Sequence, residues 1–423
     1  MTLVKDTEAA TATLVAEAQQ RQEPAWLIDQ RVAALTAIPQ TGFLRVQRFD
    51  YRGWLVFSTP DLQWATTTTS TPVTSSSHFV QRGTVTLNVD LPADLAAQGV
   101  ILTDLLTATR EYPELVRPYL MQVVRASDNQ LASYHLAYLN AGIFLYVPKN
   151  VVIDTPIEAQ IIQDATQVAP LQTHVLVVAE ANSEVAFTQH LTTQGDQAAS
   201  VNQVVEIVAQ ENSHVRFASV DELGQNTTAS FQRKANVAAN ARVDWAIGLM
   251  NQGDTVGQCD TDLIGDGAQA DAKVVAITSR QQREGINTKI TNHGKRTVGN
   301  ILQRGVLQGQ SELIFNGIGD IIHGAAGSEA EQENRILMMD PGTHGDANPI
   351  LLIDENDVLA GHAASVGQVD QRDLYYLMSR GLDKPTAERL VIRGFLSAVL
   401  SSIPSVNVRH QLIQTIERNL KND

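Results

Sequence analysis

Of the 423 residues only one, Cys259, is a cysteine. No disulfide can close within the chain, and no multi-thiolate metal centre can be built from it alone. Thiol usage this sparse points to a reducing compartment, so a cytoplasmic location is expected. The segment "GQCDTD" brings no histidine or basic neighbour to Cys259, and an inert buried thiol is the expected state. Apolar runs are short as well. None approaches the roughly 18 residues that a membrane span needs, and the polar, helical opening "MTLVKDTEAATATLVAEAQQ" has no signal-peptide core. Positive charge is scarce: 31 Lys and Arg stand against 46 Asp and Glu, a formal net charge of −15. A nucleic-acid backbone or an anionic membrane is therefore not expected as the main partner.

Several catalytic signatures are missing. The glycine-rich "GIGDIIHGAAG" at 317–327 lacks the lysine of a phosphate-binding loop, so the chain is not expected to hydrolyse a nucleotide. No H-E-x-x-H, nucleophile-elbow or paired-cysteine motif occurs. An enzyme is not expected.

What is present divides into three regions. Residues 1–140 read as helical or mixed: "EPAWLIDQRVAALTAIP" places Trp26, Leu27, Val32 and Leu35 at helical spacing and Pro39 closes the run. A Ser/Thr-rich tract at 58–79 reads as an exposed loop, and the pattern from Pro92 to Asn140 is helical again. From 141 to 368 short Val- and Ile-rich strands replace helices. Their turns stack: Asn182-Ser183-Glu184-Val185, Asn212-Ser213-His214-Val215, Asn240-Ala241-Arg242-Val243 and Gln269-Ala270-Asp271-Ala272 follow one another at 30, 28 and 29 residues. Gln310-Ser311-Glu312-Leu313 and Glu355-Asn356-Asp357-Val358 repeat the idea at wider intervals. A turn and strand at near-constant period is the mark of a solenoid, here a β-helix, with a β-sandwich as the alternative. Residues 369–423 return to helix. Asp370 is placed to cap one helix, Gly381 to end it, and Val408, Leu412, Ile416 and Leu420 form an apolar stripe on the last. These helices either cap the solenoid or bind a partner.

Three histidines are candidates for chemistry. His323 and His344 lie among Glu329, Glu331, Glu333, Asp340 and Asp346, but at a spacing that fits no standard metal site, and a solvated loop between coils accounts for the carboxylates. His362 sits among Gly361, Ala363 and Ala364, which leave its ring approachable. It is either a structural histidine or a group that ligates metal or moves protons.

The stretch "ANPILLIDENDVLAGHAASVGQVDQRDLYYLMSRGL" resembles the C-terminal signature of the SufB/SufD family of iron–sulfur cluster assembly proteins. The residues that carry the likeness are Pro349, Asp357, Val358, His362, Gly367, Tyr376, Leu377, Ser379, Arg380, Gly381, Gly394 and Phe395; "PAWLIDQR" and "NAGIFLYVPKNV" agree as well. The resemblance implies a mainly β protein, a right-handed parallel β-helix core flanked by N-terminal and C-terminal helical regions. The chain has no Cys after Cys259 and reads His362-Ala363-Ala364 where SufB reads His-Glu-Ala, so it is more similar to SufD. It departs from some SufD sequences in carrying Ala360 where they have a cysteine.

That likeness implies a non-catalytic subunit pairing with a SufB-like paralogue and a SufC-like ABC ATPase, the latter docking on the C-terminal helices around Tyr376, Arg380, Gly394 and Phe395. No cofactor is expected to bind stably to this chain alone. An iron–sulfur cluster would be held transiently by the complex, ATP by the partner ATPase, and His362 is the cluster- or iron-contacting candidate at the SufB interface. A homodimer, formed through the surface meant for the sister chain, is one state open to the isolated chain. A β-helix enzyme acting on a polysaccharide is the alternative, disfavoured by the low aromatic content of 5% and the lack of a secretory signal.

Overall fold

The computed structural model describes residues 7–54, 56, 78–166, 170–401 and 406–419. Of the Ser/Thr-rich tract only His78 and Phe79 are among them. The chain opens with helices α1 (Thr7–Gln20) and α2 (Ala25–Ala37), the second closing at Pro39 in a short 3-10 turn. A hairpin of β1 (Phe79–Arg82) and β2 (Val85–Val89) follows, then α3 (Ala93–Ala97), β3 (Ile101–Asp104), α4 (Leu105–Glu111), α5 (Pro113–Val116) and α6 (Gln130–Tyr138). The helical pattern expected across 92–140 is thus interrupted twice. Ile101–Asp104 is drawn into an antiparallel ladder with the first solenoid strand. Beyond Val116 the chain gives up its helix to bring the amides of Met121, Val123 and Val124 onto the buried carboxylate of Glu206, at 2.5, 2.7 and 2.8 Å.

From Ala141 onward each coil lays one strand in each of two parallel sheets, over about eight turns. One sheet stacks β4 (Ala141–Val147), β6 (Leu171–Ala179), β8 (Ala199–Ala209), β10 (Thr227–Val237), β12 (Thr255–Leu263), β14 (Arg283–Asn292), β16 (Glu312–Ile321) and β18 (His344–Ile353). The other stacks β5 (Ile157–Ala165), β7 (Glu184–Gly195), β9 (His214–Glu222), β11 (Arg242–Leu249), β13 (Gln269–Thr278), β15 (Val298–Leu307), β17 (Ser328–Met338) and β19 (Val358–Gln368). The architecture is the expected parallel β-helix, not a sandwich of antiparallel strands.

The stacked turns are the register device. Glu184, His214 and Arg242 are consecutive ladder partners, as the repeat predicts, but the next partner is Gln269 and not Asp271, so the fourth turn lies two residues out of the expected register. Asn150, Asn182, Asn212 and Asn240 precede the strands with φ between 55° and 65°. Asparagine tolerates this left-handed conformation better than other non-glycine residues. It also adds a side-chain ladder: Asn212 donates to Asn182 and Asn182 to Asn150, at 3.0 and 2.8 Å. Of the two later repeats, Glu355-Asn356-Asp357-Val358 stays in this sheet, whereas Gln310-Ser311-Glu312-Leu313 opens β16 of the other. The wider spacing reflects that change of sheet.

Inward positions alternate along each strand and fill the space between the sheets. Phe187, Phe217 and Trp245 stack from coil to coil with ring centres 5.7 and 5.2 Å apart, and Trp245 donates its indole N–H to Thr261. At the N-terminal end, Leu95 of α3 and Leu102 of β3 join this core and plug it. The tail folds into α7 (Gln371–Ser379), α8 (Lys384–Leu400) and α9 (Val406–Asn419). Asp370 caps α7 through the amide of Arg372, and Gly381 (φ 93°) ends it, as expected. The helices do not cap the open end, however. Ile392, Leu396 and Leu400 of α8 and Leu412 and Ile416 of α9 lie on the outer face of the β5–β19 sheet, over Val220, Ala246, Val275 and Val306. An apolar stripe can be buried only against an apolar face, and the outward positions of β9–β15 supply one. The Leu420 end of the expected stripe and the side chain of Val408 lie outside the described residues. Among the described residues, no helix is long and apolar enough to cross a membrane.

A buried relay joins α6 to the solenoid. His135 and His174 approach to 3.1 Å, and the other nitrogen of His174 lies 3.1 Å from Glu206, all three fully buried. Burial, and then the neighbouring His174, hold the His135 pKa well below the ordinary histidine value. The unfolded chain takes up a proton here below about pH 6.5 that the folded chain refuses, so stability falls as pH drops. Between pH 6 and pH 5, acidification should lower the unfolding free energy of wild type by about 1 kcal/mol more than that of His135→Gln. Equal slopes for the two proteins would show that this ring is not held neutral.

Candidate functional site

The last coil is where the stack runs out. β18 and β19 each pair on one side only, with β16 and β17, so both present a free edge. Neither strand buries a single residue. Leu359 is 66% exposed, and Leu352, Ile353 and Val366 are also exposed. Pro349 is tolerated because it lies on an edge strand.

His362 occupies a defined place here. Ladder partners run Phe187, Phe217, Trp245, Ala272, Ile301, Gln332, His362. The first five belong to the core between the sheets. Gln332 is buried and spans the interior to donate to the carbonyl of Ile350 on the opposite sheet, at 2.9 Å. His362 is the next member of this inward column, but with no further coil above it the ring stands exposed at the mouth of the interior. Its imidazole has no hydrogen-bond or ion-pair partner among the described residues. Ala360 and Ala364 share its face, and Gly361 and Ala363 take the opposite one. A hollow of about 410 Å³ opens beside Gly361, His362 and Ala363, walled by Lys273, Asn300, Glu331 and Glu333. Glu331 leans over the strand: a β-carbon at Gly361 would lie 2.8 Å from its carboxylate.

The other candidates are not brought to this point. His323 lies in the turn before β17 and His344 begins β18, both exposed. The acidic segment around them is not a loop. Glu329, Glu331 and Glu333 alternate outward along β17, and Glu333 pairs with Arg304 and Arg335, each at 2.5 Å. Among the described residues no three His, Cys, Asp or Glu side chains gather closely enough to hold a metal ion. Cys259 faces the interior on β12, three coils before the mouth and between Arg233 and Thr288 in the ladder. Burial raises its thiol pKa far above the ordinary value, so it is held as an unreactive thiol.

The C-terminal candidates divide. Tyr376 is exposed with Arg380 stacked on its ring at 5.1 Å, and Tyr375 beside it is 75% exposed. Gly394 is open to solvent. Phe395 instead turns toward the sheet, half-buried with the Arg304 guanidinium 5.6 Å from its ring centre, and anchors α8. A polar set inside the solenoid was not anticipated. Arg233 donates to Asp221 at 2.5 Å, with Gln189, Gln203 and Ser219 around them. The available signal was a charged residue, Arg233, on a face of β10 whose members Ala229, Phe231, Ala235 and Val237 are apolar.

The structure is thus a stack of parallel coils with plugged N-terminal and open C-terminal ends, helices laid along one flank and an imidazole at the mouth that no described residue engages. Comparison with known proteins places it in a family. Residues 161–395 match the family described as "SUF system FeS cluster assembly, SufBD core domain", and residues 69–159 match "SufBD protein N-terminal region". The chain is 39% identical over 420 residues to the iron–sulfur cluster assembly protein SufD of Bacillus subtilis, covering 95% of this chain and 96% of that protein. It is 26% identical over 316 residues to an iron–sulfur cluster assembly SufBD family protein of Staphylococcus epidermidis, covering 74% and 68% of the two chains. A Staphylococcus aureus protein of the same description is 25% identical over the same shares. The chain belongs to the SufBD family of iron–sulfur cluster assembly proteins.

Because the His362 ring is exposed and unpaired, its removal should leave the fold intact. Chemical denaturation of His362→Ala and His362→Gln should give stabilities within about 0.5 kcal/mol of wild type, the range for surface substitutions. A loss well above that would mark the ring as a structural contact.

Proposed function

We propose that the chain is a non-catalytic, SufD-like subunit of a cytoplasmic iron–sulfur assembly scaffold. It pairs with a SufB-like paralogue through its terminal coil and receives a SufC-like ATPase on its C-terminal helices. The observation that supports this reading is the open mouth: among the described residues, two strand edges without a pairing strand, exposed apolar residues along them, and one inward-column histidine without a side-chain partner. A sister solenoid meeting these edges would complete both sheets by strand addition. His362 would then lie at the joint, facing whatever the partner brings. The nascent cluster is cargo in this reading, because soft thiolates must come from elsewhere and this chain's one thiol is buried away from the mouth.

The ATPase reading rests on the flank helices. Their inner faces hold the sheet, whereas Tyr375, Tyr376, Met378 and Leu390 remain outward and exposed. Such an aromatic, rim-polar surface is suited to association. A double Tyr375→Ser, Tyr376→Ser variant should bind a co-expressed ATPase subunit at least tenfold more weakly, with the solenoid's circular dichroism unchanged. Undiminished affinity would move the docking surface elsewhere.

The decisive test is His362→Gln in a strain that depends on this chain for cluster assembly. Glutamine retains hydrogen bonding but supplies no imidazole nitrogen to a metal and does not titrate near neutrality. The variant complex should form normally yet fail to support growth. Wild-type growth from a well-expressed variant would remove His362 from the functional site.

A further inference from the structure

On the reading that the mouth is the functional site, we infer that residues 43–54 are a strap that positions the terminal coil from the outside, with Arg48 as its latch on β18. The segment "FLRVQRFDYRGW" belongs to no helix or strand, yet it buries Leu44, Val46, Phe49 and Tyr51. Its start is tied to α6, where Gln130 donates its amide to the carbonyl of Gly42 at 2.7 Å. Its apolar side chains pack over Val256 of β12 and Ile314 of β16. Between those two, in the same outward column of the sheet, stands Gly285 of β14. The missing side chain leaves the slot that Phe49 fills: a β-carbon at Gly285 would lie 2.4 Å from the Phe49 ring. The next member of the column is Asp346 of β18, and Arg48 pairs with it at 3.0 Å. One outward column thus seats the strap on three coils and ends in an ion pair on the fourth.

A segment outside regular structure still needs partners for its backbone, and the solenoid supplies them. Asn287 donates to the carbonyl of Arg45 at 2.8 Å, Asn316 to that of Gln47 at 3.4 Å and Arg283 to that of Asp50 at 3.1 Å. Asn316 also donates to Asn287, and Asn348 of β18 to Asn316, at 2.9 and 3.0 Å. This asparagine ladder carries the clamp up to the terminal coil. The strap turns at 46–49, where Phe49 donates its amide to the carbonyl of Val46 and Arg48 takes the left-handed conformation, φ 61°. Glycine suits such a turn position best. The arginine found there is the residue that reaches Asp346.

Burial does not hold β18, since none of its residues is buried. Its place matters to the mouth. The Ile350 carbonyl on β18 accepts from Gln332, the rung below His362. A β18 that drifts outward releases Gln332 and opens the floor beneath the imidazole. Arg48 and Phe49 are therefore positioning residues that act on the site from the outer face.

Hydrogen exchange of the full chain, read by mass spectrometry, tests the strap through local opening. The amides of β18 should exchange about two- to fivefold faster in Arg48→Ala, the range an exposed ion pair supplies. In Phe49→Ala the increase should be at least about tenfold, with β6 and β8 unchanged in both variants. A charge swap guards against general destabilisation. Arg48→Asp and Asp346→Arg should each speed exchange in β18, and together they should restore it to within about twofold of wild type. At about 1 M salt, where the screening length is roughly 3 Å, wild type should exchange like Arg48→Ala. Unchanged β18 exchange in the single variants, or faster exchange spread evenly over the solenoid, would overturn the strap whatever His362 does. In a strain that depends on this chain, Arg48→Asp should slow growth and the swap should restore it. Full growth of Arg48→Asp where His362→Gln fails would end the strap's role at the mouth and leave the mouth as the site. Full growth of His362→Gln would remove the site itself, and exchange alone would then decide the strap.

Discussion

The structure depends on a single repeated constraint: each strand's backbone is satisfied by the strand one coil away, in unbroken parallel register. Such a stack has no natural end. Every rung needs another, and the first and last need something different. The N-terminal region resolves one end by reversing strand direction, pairing β1 with β2 and β3 with β4 antiparallel, and by plugging the interior with Leu95 and Leu102. The C-terminal end has no equivalent. The helices that could have closed it lie along the flank, where the outward faces of β9–β15 are apolar enough to hold them.

The interior prepares for that open end. The inward column that runs through Phe187, Phe217 and Trp245 shrinks to Ala272 and Ile301, then turns polar at Gln332 and His362. An apolar side chain at the mouth would face water without a coil above it. A polar one can be solvated when the chain is alone and engaged when the mouth is covered. The same position is thus compatible with a stable free chain and with a site at a joint. The two functional surfaces, mouth and flank helices, are connected through Val369 and α7, whose Leu374 packs with Leu337 and Met339 at the end of β17.

Much of this was legible in the residues. The near-constant spacing of Asn182, Asn212 and Asn240 is a direct imprint of coil length, and the left-handed turn explains why asparagine recurs there. Capping by Asp370 and termination at Gly381 were readable because they are local backbone chemistry. The strand at Ile101–Asp104 and the irregular chain after Val116 were not, because their partners, β4 and Glu206, lie dozens of residues away. His362 could be singled out by its small neighbours and by its resemblance to a known signature. Its direction could not.

The sequence by itself determined the period, the class of fold, the boundaries of most coils and the excess of carboxylates over cations in the last one. These follow from residue order, since alternation, turn chemistry and charge need no distant partner. Only the tertiary structure decided that the tail helices cover a flank and leave the end open, that Phe395 anchors α8 while Tyr376 stays outside, and that His362 is exposed and Cys259 enclosed. Each of those outcomes depends on which surface arrives from elsewhere in the chain to bury a side chain, or on no surface arriving at all.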